Sequence, residues 1–312
     1  MTSFRNGKSF SNGRNLSNGR NFSDGRNFDN NSNSKSSNRL GRAFGHGFLL
    51  LVCVFTLYVF FLMVSGSLKT SSELVRNVAG FPKAPTLDNF VRLFGYNSGV
   101  IIRSYFNGLF IAVSYTLLTL MVASLGAFAF SKYSFKGKNL LFVLLLITMM
   151  VPPELNMTPL YILFSKIGWL NTYQVQIIPG IANVFALFLL RQHMNTVPDS
   201  LLEAARIDGS GHFRIFLQIM VPVSVPAISS LSILVFLSKW NDYMFPSLMI
   251  KDIKYLPMMV VLPTLNVADS AHAIPWELVL TGCVIVTLPL IVLFLVFQDK
   301  FMSSVTLGAV KG

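Results

Sequence analysis

The sequence predicts an all-α integral membrane protein with six transmembrane helices and both termini in the cytoplasm. Three observations carry this. Hydrophobic residues make up 53% of the 312 residues and charged residues only 12%. Soluble domains average about 25% charged residues, so this chain cannot build a water-facing surface over its whole length. Six apolar stretches approach the roughly 20 residues needed to cross a bilayer's hydrocarbon. Lys and Arg, finally, are spread unevenly between the two sets of connections.

The chain opens on a basic arm, residues 1–42, where eight Lys/Arg against Asp24 and Asp29 supply +6 of the net +12. Hexapeptides of Ser, Asn or Asp, Gly and Arg repeat at 10–15, 16–21 and 22–27. Such units hold too little apolar surface to offset the entropy of ordering them. They predict a disordered tail attracted to anionic membrane lipid, with no specific nucleic acid as partner. So long a polar region before the first apolar run argues against a cleaved signal peptide.

The spans fall near 48–68, 106–130, 140–164, 175–190, 220–240 and 278–297. Pro152, Pro153 and Glu154 interrupt the third, which leaves a short external or re-entrant helix after Val151. The organisation is then the tail 1–42, the first span with an external segment over 43–105, a core over 106–298 with a cytoplasmic loop at 191–219, and a C-terminal tail over 299–312. With both ends inside, the cytoplasmic segments carry 16 Lys/Arg in 94 residues and the external ones 8 in 95. Lys132, Lys136 and Lys138, crowded into one short loop, give the strongest local vote.

Several chemistries are missing. No segment has the Gly, Lys and Ser/Thr spacing of a phosphate-cradling loop. His46, His193, His212 and His272 are dispersed without metal-ligand spacing, and Cys53 and Cys283 both lie in apolar stretches. The ionisable residues nearest the membrane, Glu154, Lys239 and Asp242, sit at span ends, so no buried proton relay is indicated. The expectation is a conduit, not an enzyme, with no catalytic residue, metal or cofactor of its own.

Between the fourth and fifth spans lies Val197-Pro-Asp-Ser-Leu-Leu-Glu203-Ala-Ala-Arg-Ile-Asp-Gly209. Read locally, it is a short helix with Ser200 and Glu203 spaced as a capping box and Gly209 at its end. Leu201, Leu202, Ala205 and Ile207 form no single stripe, so exposed apolar residues need a covering partner. A second helical piece over 213–219 leads to Val221-Pro222, where the fifth span begins.

Glu203-Ala204-Ala205, three residues, Gly209, nine residues, Ile219, one residue and Val221-Pro222 resembles the signature of binding-protein-dependent ABC importer permeases. Leu more often precedes that final Pro, a mild departure. The resemblance runs from about Ser67 to the C-terminus. Further stretches are similar to the smaller membrane subunit of maltose-type, carbohydrate-branch importers. They are Ser67-Leu-Lys69, Pro85-Thr-Leu-Asp-Asn-Phe90, Phe135-Lys-Gly-Lys138, Gly168-Trp-Leu-Asn-Thr172, Lys239-Trp-Asn-Asp242 and Leu307-Gly-Ala-Val-Lys-Gly312.

That resemblance implies a type I ABC importer permease fold in a bacterial or archaeal-type cell membrane. It implies a translocation pathway for a sugar or oligosaccharide. The implied partners are a pair of ATP-binding subunits holding ATP and Mg, a second related permease subunit forming a heterodimer, and an extracellular sugar-binding protein. Glu203, Ala204, Ala205, Asp208, Gly209, Ile219 and Pro222 would form the coupling loop in a cleft of the ATPase. Leu307, Gly308, Ala309, Val310, Lys311 and Gly312 would lie against the ATPase pair, and the loop over 242–277 would reach the binding protein. Trp240, Asn241 and Asp242 suit sugar stacking and hydrogen bonding, although a Trp at a span end also serves as an interfacial anchor. A permease for glycerophosphate or a polyamine would carry the same coupling loop; a secondary transporter would not need it.

Overall fold

The computed structural model describes residues 32–266 and 274–309, and all regular structure among them is helical. The chain divides into two units, Met1–Thr56 and Leu57–Gly312. In order the helices are α1 (Ser32–Ser67), α2 (Ser71–Arg76), α3 (Asp88–Gly95), α4 (Val100–Lys132), α5 (Lys138–Thr148), α6 (Met157–Lys166), α7 (Tyr173–Ile177) and α8 (Val184–Asn195). They continue as α9 (Asp199–Ile207), α10 (His212–Ile215), α11 (Val221–Val223), α12 (Val225–Trp240), α13 (Met244–Met249), α14 (Met258–Val261) and α15 (Trp276–Ala309).

Among the described residues, three helical stretches are long and apolar enough to cross a membrane unaided, within Phe44–Ser67, Asp88–Lys132 and Trp276–Gln298. Three more are bent pairs: Lys138–Thr148 with Pro153–Lys166 at 89°, Tyr173–Gly180 with Val184–Asn195 at 41°, and His212–Val223 with Val225–Trp240 at 77°. Up to six spans follow if each bent pair counts as one. The break expected at Pro152-Pro153 is there. The uninterrupted fifth span expected over 220–240 is not, because the chain turns sharply at Ser224. A π-helical turn at Phe216–Met220 and Pro222 precede the turn. Pro226 then offers no N–H to the carbonyl of Pro222, and these are common causes of a sharp kink. At the N-terminal end, α1 begins at Ser32, so residues 32–42 are helical where a disordered tail was expected. Once an apolar helix exists, adding turns to its end avoids the costly nucleation step.

α4 is an unbroken helix against which two of the bent pairs pack. Its buried positions include Ile101, Ser104, Gly108, Ala112, Thr116, Thr119, Ala123 and Ala127. The three- and four-residue steps among them make one continuous stripe, and the small side chains let neighbours approach closely. Gly108 lies under the Trp240 ring, so that an added Cβ would come within 3.1 Å of it. One core joins α4 to α3, α12, α14 and α15 around Trp240, Phe236 and Met258. A second joins the later turns of α4 to α8, α9 and α12 around Leu190, Met194 and Met220.

Polar side chains on α4 also reach the irregular backbone of its neighbours. Tyr115 Oη donates to Gly180 O at 2.9 Å, at the break before α8. Asn107 Nδ2 donates to Lys254 O at 2.8 Å and Leu256 O at 3.2 Å, in the connection before α14, and its Oδ1 accepts from Tyr173 Oη at 2.8 Å. The Gly180 carbonyl, freed by a break within a span, would otherwise lose several kcal/mol. The segment after α1 is closed by another device. Lys69 is fully buried, and its ammonium donates to Asn77 O and Gly80 O at 2.7 Å each.

Replacing Asn107 by Leu, of similar volume, should therefore cost about 2–3 kcal/mol, and Tyr115→Phe about 1 kcal/mol. Thermal unfolding of the detergent-solubilised protein measures both. Equal midpoints for the two variants and the parent would contradict this reading of α4.

Candidate functional site

The loop singled out by the sequence folds as α9, a turn, and the run α10–α11. Its start differs from expectation. Pro198, not Ser200, takes the N-cap position and no side chain caps the helix, so Ser200 and Glu203 form no capping box. Pro198 adopts extended φ/ψ and Asp199 becomes the first helical residue. Lys132, at the end of α4, holds this start instead. Its ammonium donates to Val197 O and to Asp199 Oδ1, the latter at 2.8 Å. The Lys132 side chain is 4% exposed while Asp199 is largely exposed, so the lysine is the fixed member of the pair. The hydrogen bond from Lys132, followed by its charge, holds the Asp199 carboxyl below its ordinary value.

The end of α9 is as expected. Gly209 has φ +80°, Ser210 N donates to Ala205 O at 2.9 Å, and Gly209 N donates to Arg206 O at 3.0 Å. This pair of bonds closes a helix on a left-handed residue, which glycine adopts without penalty.

α9 presents two unlike faces. Leu202, 2% exposed, and half-buried Ala205 pack into the core beside Val197 and Ile215. Glu203, Ala204, Asp208 and Gly209 are exposed, and so is Ile207, at 87%. Phe213 and Leu217 on the following run are exposed as well. Pro222 is exposed and Ile219 half-buried, so the predicted loop residues fall on both sides of the packing boundary.

The other predicted residues are dispersed. Trp240 is buried in the core. Its indole N–H donates to Val286 O at 3.2 Å, and its ring stacks on Phe236 at 5.9 Å. It therefore serves the packing of α12 on α15, with no face left for a sugar. Asn241 is exposed. Asp242 pairs with Lys239 at 2.9 Å and turns toward a cavity of about 470 Å³. Tyr115, Glu154, Gln176 and Phe245 line that cavity with them. Leu307, Gly308 and Ala309 close α15; Val310, Lys311 and Gly312 lie outside the described residues.

Two features escaped sequence reasoning. Lys132 was weighed only as a topological charge, yet it follows Ser124 and Phe128 at four-residue steps along the buried stripe of α4. A lysine continuing an apolar stripe signals a fixed partner. Glu154, Lys239 and Asp242, each read as a separate span-end residue, share one cavity.

Lys132→Met removes both bonds at the start of α9. Amide hydrogen exchange across 199–208 should rise about tenfold or more, as expected for losing a charged hydrogen bond of about 1.5–3 kcal/mol; unchanged exchange would refute the tie. The Asp199 share of the contact follows its lowered carboxyl. It is complete above the ordinary aspartate value of 3.8 and is lost as pH falls through the lower folded value. The protection factor in α9, the exchange corrected for its intrinsic pH dependence, should accordingly fall on strong acidification and stay flat between pH 5 and about 8.

Comparison with known proteins places this geometry. A family model described as "Binding-protein-dependent transport system inner membrane component" matches residues 116–306. The arabinooligosaccharides transport system permease protein AraQ of Bacillus subtilis is 35% identical, over 85% of this chain and 94% of its own. The sn-glycerol-3-phosphate transport system permease protein UgpE of Escherichia coli K12 is 31% identical, over 84% and 94% respectively. A crystallised bacterial ABC transporter involved in importing the acidic polysaccharide alginate shares the fold, with a TM-score of 0.77 at 22% identity, over 85% of this chain and 98% of that one. The loop that α4 secures and the bent spans around it thus belong to a recognised architecture, and the chain is a member of the family of binding-protein-dependent transport system inner membrane components.

Proposed function

We propose that this chain forms part of the translocation pathway for an oligosaccharide and couples it, through α9, to a separate pair of ATP-binding subunits. The observation that carries the coupling role is the one-sided anchoring of α9. Leu202 and Lys132 fix one side to the bundle, while Glu203, Ile207 and, on the following run, Phe213 are exposed. Apolar residues exposed in this way mark a surface that a partner covers. A lever must be stiff on the side it drives and complementary on the side that drives it. ATP binding can shift the bundle only if its two arrangements differ in their contacts with this surface.

The rest of the reading follows the family. Lys/Arg counts support a cytoplasmic position for α9 and for both termini. The partner ATPases would hold the ATP and Mg, a second related permease would complete the pathway, and the C-terminal residues 307–312 would lie against the ATPase pair. An external binding protein would deliver the solute near the loop over 242–277. The cavity holding Lys239 and Asp242 is the best candidate for solute contact, because ionised groups at membrane depth face protein or a watery path. Tyr115 and Phe245 beside them offer the aromatic faces that suit sugars. The oligosaccharide assignment draws on AraQ and the alginate importer. A glycerophosphate is the second reading, favoured by the likeness to UgpE.

Gly209 is a poor residue to mutate as a test, since its backbone conformation alone would strain any replacement. Glu203→Lys combined with Ile207→Asp alters two exposed residues and should leave the bundle intact. Association with the ATPase subunits should fall at least tenfold, and solute uptake with it. Normal association together with normal uptake would end the coupling assignment. The ligand profile of the associated binding protein separates the two solutes: arabinose- or glucose-type oligosaccharides in one case, glycerophosphate in the other.

A further inference from the structure

A second cavity, of about 470 Å³, opens where α4 gives way to α5. Ser134, Lys138, Asn139, Leu140 and Arg191 line it, with Phe135 and Gly137. We propose that it is a binding site for the phosphate-bearing headgroup of an anionic phospholipid.

Charge comes first. Two cations share the lining and no carboxylate does. Each cation is held in place by neutral groups. Lys138 Nζ donates to Tyr133 O at 2.8 Å. Arg191 Nε donates to Phe130 O at 3.1 Å, with the guanidinium over the Phe142 ring at 3.8 Å from its centre. These contacts fix position without cancelling charge, so two like charges bear on one small space. An anion between them relieves that repulsion, and a guanidinium whose Nε is occupied still presents Nη donors suited to phosphate oxygens. Ser134 and Asn139, both exposed at the rim, add donors of their own.

The surroundings favour a lipid over a dissolved anion. Leu140 forms part of the cavity wall, and Leu141, Leu144 and Ile147 continue along α5, all of them exposed. An acyl chain attached to a headgroup in the cavity has that apolar strip to lie on; inorganic phosphate has no use for it. Basic pockets beside membrane-spanning helices are an established way of holding anionic headgroups.

The test uses the complete transporter in phosphatidylcholine nanodiscs with added phosphatidylglycerol, and native mass spectrometry to count retained lipid. Parent protein should retain phosphatidylglycerol, and Lys138→Gln with Arg191→Gln should retain at least tenfold less. Because that double variant removes backbone contacts too, Asn139→Asp provides a second arm. It leaves both cations in place, adds a negative charge at the exposed rim, and should show the same loss. Lys136→Gln, an exposed neighbour outside the lining, should retain lipid normally. Unchanged retention in both cavity variants would overturn the proposal. So would equal loss in Lys136→Gln, which would mean general surface charge, or displacement of the lipid by millimolar inorganic phosphate, which would mean a site for free anion.

Discussion

Inside a bilayer no water takes over a carbonyl released by a break in a helix, so a membrane protein with bent spans needs polar side chains aimed at the breaks. α4 supplies one of them. Tyr115 reaches Gly180, at the break before α8, and outside the spans Asn107 reaches Lys254 and Leu256 and Lys132 reaches Val197, where neighbouring chain leaves helical geometry. The same helix carries the small residues that allow α8 and α12 to pack against it. The bent span over Tyr173–Asn195 is thus held by an unbroken neighbour, through a hydrogen bond at its break and through packing along α8. Bent spans are also the natural places for polar cavities, and the Lys239–Asp242 cavity borders two of the breaks, at Pro153 and at Gly180.

The tie from Lys132 extends this logic beyond the bundle's packed interior. A surface ion pair contributes little by itself, and Asp199 is largely exposed. Lys132 is not, and it also holds a backbone carbonyl, so the start of α9 is attached to the end of the central helix by a short and nearly buried link. In the proposed coupling role, movement imposed on α9 would pass directly into α4 and the helices stacked on it. Leu202 provides a second, apolar attachment on the same side. Between them they leave Glu203, Ile207 and Phe213 facing outward.

Much of this was legible in the sequence, and the limits have physical causes. Composition and apolar run length were enough for the membrane class and for the break at Pro152-Pro153. The spacing from Glu203 to Pro222 located the loop, and Gly209 ends its helix as glycine at such a position does. Three things were not legible. Ser200 and Glu203 have capping-box spacing, but the preceding Pro198 shifted the helix start, and a lysine 65 residues before Val197 anchors that start by donating to the Val197 carbonyl. The bend at Ser224 was hidden because Pro222 and Pro226 sit in continuous apolar sequence, where hydropathy is blind to backbone direction. Trp240 looked like an interfacial or sugar-facing ring, since the glycine beneath it, Gly108, lies on another helix far away in sequence.

The central claim is that the outer face of α9 is cytoplasmic and covered by an ATP-binding partner. It is tested most directly by placing a single cysteine at Ile207 in a chain whose Cys53 and Cys283 have been replaced. A membrane-impermeant maleimide then reports access to that face. The account predicts no labelling in sealed right-side-out vesicles, rapid labelling once they are opened, and at least tenfold slower labelling when the ATPase subunits are bound. Labelling in sealed vesicles, or equal rates with and without the ATPase, would contradict it.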